Sequence, residues 1–476
     1  MQRVRRPLQL HDDRLFPADP TVRAIARQLY QEVRGCPIVS PHGHCDPKWF
    51  ADNAPFSNPA ALLVTPDHYL TRMLYSQGVP LGSLGAAPPD QPSNVDPRAA
   101  WQLFADHYHL FLGTPSRIWL DQTFSEIFGL DVVLDGETAD HYFDVITDAL
   151  GGEDYRPRNL FDRFGIEVLA TTESPLDSLD AHRRLAADGW GDKVITTFRP
   201  DPVVDPDHDG FAGNVEALGA LTGRDTSRWP EYLGALWDRR QVFRGLGATA
   251  TDHGHPSATT SDLGPEMCQR LLTDAVAQQL KPGQADLFRG QVLTEMAAMS
   301  IEDGLVMQIH AGSRRNHNRL VHSEFGRDQG ADIPGPTDYV EALRPLLGRF
   351  GNDARLALIL FTLDESAYSR ELAPLAGHYP CLVLGPPWWF FDSVEGLRRY
   401  RRAVTETAGY ANTAGFNDDT RAFLSIPARH DLARRVECGE LARLVSEHQI
   451  SVDDARELAE DCAHRLARRA YRLGRK

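Results

Sequence analysis

Lysine is nearly missing from this chain. Of 50 basic residues among 476, only Lys48, Lys193, Lys281 and Lys476 are lysine, and the rest are arginine. Any Schiff base or lysine-derived metal bridge must come from those four positions. Cysteine is also scarce. Cys36, Cys45, Cys268, Cys381, Cys438 and Cys462 are scattered without a Cys-x-x-Cys pair, which excludes a disulfide framework and reads as a reduced, cytoplasmic chain. Positive charge is in deficit, with 66 acidic residues giving a net charge of −16, so neither nucleic acid nor an anionic membrane is an expected partner. Long apolar runs are absent as well. The longest, Leu356 to Leu363, falls far short of a membrane span, and Met1 to Pro20 lacks the apolar stretch of a secretory signal.

What remains is a chain 42% apolar and 24% charged, the balance of a protein that buries a large core. Eight short apolar or β-branched runs punctuate it: Pro37–Ser40, Ile166–Thr171, Val194–Phe198, Gly245–Thr251, Leu305–Ile309, Leu356–Phe361, Cys381–Leu384 and Ala411–Phe416. Helical spacing fills the intervals, as in Ser178–Ala187, Pro265–Gln279 and Val394–Ala408. Eight such strands alternating with helices predict an α/β fold, a distorted (β/α)8 barrel of the TIM type.

One interval is out of scale. About 120 residues separate the first strand from the second, far more than a βα unit needs. Within them Asp67–Gln77, Pro97–Phe111 and Ala139–Leu150 read as helices, so this stretch is a helical insertion above the barrel mouth. The expected divisions are 1–46 for the N-terminal segment and first strand, 47–155 for the insertion, 156–435 for the remaining barrel and 436–476 for C-terminal helices. The connection Asp201 to Phe243 reads as loop-rich at first and as a candidate lid. Asp431–Lys476 reads as two arginine-rich amphipathic helices with a solvated charged face.

Side chains just past the C-terminal end of a barrel strand point into the active site. After the first strand comes Ser40-Pro41-His42-Gly43-His44, and histidines two apart on an extended segment reach the same side. A second such pair, His253 and His255, follows the fourth strand; position at the first strand end favours His42 and His44. The third strand leads to Arg199-Pro200-Asp201, the fifth to His310 and then Arg314-Arg315-Asn316, the seventh to Trp388-Trp389, and the eighth to Asp418-Asp419 with Arg421. Histidines and a carboxylate facing one another suit a divalent metal, and strand-end arginines suit a carboxylate or phosphate substrate. Lys193 stands at the wrong end of its strand and Lys281 lies in a turn, so a single metal is expected rather than a lysine-bridged pair.

Together these residues resemble the uronate isomerase family of the metal-dependent amidohydrolase superfamily. The resemblance rests on His42-x-His44, Asp67-His68-Tyr69, Thr171-Thr172-x-x-Pro175-x-Asp177-Ser178-Leu179 and Phe198-Arg199-Pro200-Asp201. It continues in Gln308-x-His310-x-Gly312-x-x-Arg315-Asn316-x-Asn318, Trp388-Trp389-Phe390 and Asp419-x-Arg421-x-Phe423-Leu424-Ser425. It implies interconversion of D-glucuronate with D-fructuronate and of D-galacturonate with D-tagaturonate. It further implies one divalent ion on His42, His44 and Asp419, zinc first with manganese or iron as alternatives. Catalysis would fall to Asp419, Tyr69 and His310, and substrate binding to His68, Arg199, Arg315, Trp388 and Arg421. A cytoplasmic homo-oligomer acting on a small sugar acid is the expected form. The competing reading is a metal-dependent hydrolase of an amide or lactone.

Overall fold

The structure, a computed structural model, describes residues 6–89 and 91–474; the first five residues, Asp90, Arg475 and Lys476 lie outside them. In chain order the strands are β1 (Ile38–Ser40), β2 (Ile166–Glu173), β3 (Val194–Phe198), β4 (Ala250–His253), β5 (Val306–Ile309), β6 (Ser313–Arg314), β7 (Ile333–Pro334), β8 (Leu358–Leu360) and β9 (Leu382–Leu384). Seven of them form one parallel sheet in the order β1-β2-β3-β4-β5-β8-β9, while β6 and β7 pair as a separate antiparallel ribbon. The sheet curls because its two faces are filled differently. Met307, Ile309, Leu358 and Leu360 pack outward against the crossover helices, among them Trp229–Gly245, Gln284–Asp303 and Val340–Phe350. Val168, Ala170, Ile195, Ala250, Val306 and Ile359 alternate with them and belong to smaller interior clusters.

Two strand expectations need correction. Ala411–Phe416 is not a strand: it makes a single parallel bridge, Thr413 to Leu384. Gly415 then turns into the left-handed region at φ +73°, which ends any ladder. The circuit is completed outside the sheet, where the His44 amide donates to the Thr420 carbonyl at 3.0 Å. The fourth strand begins at Ala250 rather than Gly245, because Gly245 closes a helix and Gly247 turns at φ +94°. The distorted barrel therefore has seven laddered strands and a residual eighth.

The insertion is helical, with His68–Ser76, Pro97–Asp106 and Ala139–Gly151 near their expected bounds. Its core is aromatic: Trp101, Phe104, Tyr108, Phe111, Phe124 and Tyr142 are all essentially inaccessible. Aspartates cap its helices, Asp67 accepting from the Tyr69 amide at 2.9 Å and Asp96 from that of Arg98 at 3.2 Å. The connection 201–243 is irregular only over 205–210, which lines the cleft, and 223–228; the rest folds as helices Asp201–Val204, Phe211–Thr222 and Trp229–Gly245. The segment that borders the insertion is instead the one carrying β6 and β7. At its Gly330 a Cβ would lie 3.0 Å from the His68 carbonyl oxygen.

Helix Ile426–Ser446 also departs from expectation, since Arg434 and Arg435 are buried instead of solvated, as is Arg429 before them. Arg434 donates to the carbonyls of Arg34 and Cys36 at 3.0 and 2.8 Å, tying the helix to the segment before β1. Among the described residues no helix is long and apolar enough to cross a membrane.

Candidate active site

At the C-terminal ends of the strands the chain leaves an open cleft of about 1250 Å³, lined by His44, His68, Tyr69, Arg199, Arg315, Trp388, Asp419 and Arg421 among others. No described lysine lines it; Lys193 is on the far side, paired with Asp162 at 2.8 Å. His42 and His310, each only 2% exposed, lie directly behind that lining.

The centre forms where β1 meets the degenerate eighth segment. His42 Nε2 and His44 Nε2 approach the same oxygen, Asp419 Oδ1, at 3.5 and 3.2 Å. Two backbone ties enforce this across the sequence: the His44–Thr420 bond, and Thr172 Oγ1 donating to the Gly43 carbonyl at 2.9 Å. Asp419 itself sits at φ +37°, a left-handed conformation that a non-glycine residue holds only where its surroundings demand it. Burial pushes its carboxyl up, but the neighbouring His44 and His42 imidazoles outweigh burial and hold it well below the usual range. Burial likewise lowers His42 and favours its neutral, metal-ligating form. One ligand atom from each of His42, His44 and Asp419 falls within 4.8 Å of the others, and Asp419 Oδ1 is buried without a well-directed hydrogen bond. This donor set can hold a metal ion.

His310 is drawn elsewhere. Its Nε2 lies 2.7 Å from Asp252 Oδ1, and its ring meets Trp388 edge-on at 4.2 Å between centroids. Asp252 also faces Arg199 at 3.4 Å, and Arg199 reaches Asp201 at 3.0 Å. For Asp201, burial acts upward, yet Arg199 and His255 bring it down to about 2. The whole cluster closes on Gly254, where a Cβ would meet His310, Arg199 and Asp201 at 2.7, 2.8 and 2.8 Å. Any side chain there must push one of them aside.

The insertion supplies the opposite wall. Tyr69 donates from its hydroxyl to Asp392 at 2.9 Å and accepts there from the Phe390 amide at 2.8 Å. Burial, then the Asp392 charge, raises that phenol well above its ordinary value, so it remains protonated. Arg429 steadies Asp392 at 3.1 Å. Trp389 Nε1 donates to His68 Nε2 at 3.0 Å, and burial lowers His68 to about 3. Trp389 and Phe390 both take positive φ, +41° and +67°, which turns them toward the insertion. Arg315 pairs with Asp332 at 2.8 Å, and Arg421 with Asp328 at 3.2 Å.

All ten expected positions thus converge on one cleft or its immediate backing. Of the supporting acids, Asp328, Asp332 and Asp392, with Arg429, escaped the sequence reading of the site. Asp252 does stand at a strand end. The other acids lie in connections without periodicity, where no local signal marks them. His253 and His255, the second histidine pair, are buried and lie outside the metal-competent group.

A glucuronate isomerase family model matches residues 20–471. The chain belongs to the uronate isomerase family. It is 63% identical to a uronate isomerase of Rhizorhabdus wittichii over 98% of this chain and 99% of that one. The crystal structure of glucuronate isomerase from Caulobacter crescentus superposes with a TM-score of 0.97 at 55% identity, covering 99% of this chain and 98% of that one. That of a uronate isomerase from Thermotoga maritima gives 0.90 at 26% identity, covering 97% and 99%. The family's fold accounts for the curled parallel sheet and the full length of the chain.

Proposed function

We propose that the chain is a uronate isomerase that interconverts D-glucuronate with D-fructuronate, and D-galacturonate with D-tagaturonate. The observation that carries this reading is that Asp419 and Tyr69 line one cleft, a carboxylate held deprotonated and a phenol held protonated. Isomerisation moves the C2 proton to C1 through a cis-enediol, which calls for a base and for a donor that serves O1 and O2. Asp419 takes the C2 proton and, after exchange with solvent, returns one to C1. Tyr69 shuttles the hydroxyl proton, and Asp392 fixes its direction. His310, held against Asp252, presents its ring beside Trp388 to polarise the reacting oxygens. Arg199, Arg315, Arg421 and His68 orient the open-chain acid, with Trp388 as an apolar wall. Guanidinium pairing with the C6 carboxylate separates uronates from neutral sugars.

His42, His44 and Asp419 would hold one divalent cation, zinc first and manganese or iron next, which supplies stabilisation of developing negative charge on a substrate oxygen. The six free cysteines accord with a reducing cytoplasm, and we infer a homo-oligomer in solution. Ketose formation from glucuronate and from galacturonate, followed separately by chromatography, tests the reading. Turnover of amides or lactones with neither uronate converted would overturn it in favour of a hydrolase.

A further inference from the structure

The barrel interior is lined by small side chains, and strands alone leave it open at the end opposite the cleft. The C-terminal tail fills it. Ala467 packs with Val39, Val168, Ala170 and Ile195, and Tyr471 with Ala250, Val306, Ile359, Phe361 and Ala414. Two arginines fasten the tail beneath the strands. Arg472 donates to the carbonyls of Gly304, before β5, and Arg355, before β8, at 2.9 and 2.7 Å. Arg469 donates to that of Ala411 at 3.0 Å. Gly415 abuts the tail so closely that a Cβ would meet the Ala467 amide nitrogen at 3.0 Å.

A polar thread runs through this apolar floor. The Tyr471 hydroxyl, 1% exposed as a residue, donates to Gln308 Oε1 at 2.8 Å and faces Asn417 Nδ2 at 3.4 Å. The Gln308 amide nitrogen donates to the Thr251 carbonyl at 3.3 Å and lies 3.4 Å from His42 Nδ1. Gln308 is fully buried, so without the hydroxyl its amide oxygen would be left unpaired. A metal on His42 Nε2 leaves the ring proton on Nδ1, so the amide must then turn its oxygen to Nδ1; the phenol, able to donate or accept, pairs with the amide in that orientation by accepting from its nitrogen.

We propose that Tyr471 acts through Gln308 as a positioning residue for His42, so that the tail both closes the barrel floor and orients the deepest imidazole of the metal site. This rests on the reading of His42 as a ligand. Partners of a ligating imidazole typically set metal affinity by 10- to 100-fold. Zinc affinity is measured by competition with a chromophoric chelator, alongside kcat, KM and Tm, on the full-length protein. Tyr471→Phe is expected to weaken zinc about tenfold and to lower kcat with little change in KM. Gln308→Met should weaken it at least as much, and the double variant no further than Gln308→Met alone. Leu473→Ala, in the same floor but without a polar group, should lower Tm and leave zinc affinity unchanged. Tyr471→Phe binding zinc as tightly as wild type, or losses that add in the double variant, would overturn the proposal alone. A wild-type protein that binds no zinc would overturn the ligand reading with it.

Discussion

The same tripeptide, His-Gly-His, follows two strands: His42-Gly43-His44 after β1 and His253-Gly254-His255 at β4. Their fates differ. In the first, both imidazoles face Asp419, and a Cβ on Gly43 would make only ordinary contacts of 3.5 Å or more. In the second, His253 Nε2 meets the Thr251 hydroxyl at 3.1 Å, both ring nitrogens of His255 are buried without a partner, and Gly254 is enclosed by His310, Arg199 and Asp201. The first motif brings its histidines to one carboxylate, and the second packs its glycine among three side chains. What a motif does depends on what the fold sets opposite it.

Removing the carboxylate opposite the first motif should have the largest effect. Asp419→Asn is expected to lower kcat/KM on the order of 10⁴-fold and to abolish zinc binding, while the second motif stays intact. Next, exchanging the two glycines should invert their apparent equivalence. Gly254→Ala must displace His310 or Arg199 and should lower kcat/KM by about 10²-fold, whereas Gly43→Ala should remain close to wild type. Equal losses in the two variants would erase the distinction.

The smallest effect concerns stability. Burial lowers His253 to about 3, against about 6.5 in an unfolded chain. The unfolded state therefore binds more protons below pH 6.5, so stability from this residue is full above that pH and falls on acidification. Between pH 7 and pH 5 the loss is about 2 kcal/mol, and His253→Gln should flatten the pH dependence of denaturant unfolding by that amount. A variant as acid-sensitive as wild type would show that His253 is not the source.

Much of this arrangement was legible because its signals are local. Val194–Phe198 reads as a strand from its own β-branched run and occupies the same residues in the structure. His42 and His44 stand where a strand ends and Asp419 just past the residual eighth segment, and barrel geometry brings these ends together. The eighth strand misled because Ala411–Phe416 has strand composition, while Gly415 and the tail beneath it decide its path. Arg434 looked solvated because its acceptors are carbonyls near residue 35, and Arg435 because it reaches the carbonyl of Asp12, partners invisible to any helical periodicity. Tyr471 meets Gln308 across 163 positions, and Tyr69 meets Asp392 across 323. Such partners are set by tertiary packing and leave no trace in neighbouring residues.

Proton exchange at C2 tests the central claim most directly. Glucuronate incubated with the protein in deuterated water should gain deuterium at C2 as ketose forms, and Asp419→Asn should show no exchange above background. Ketose formation in Asp419→Asn with C2 exchange at the wild-type rate would contradict the assignment of Asp419 as the group that moves the proton.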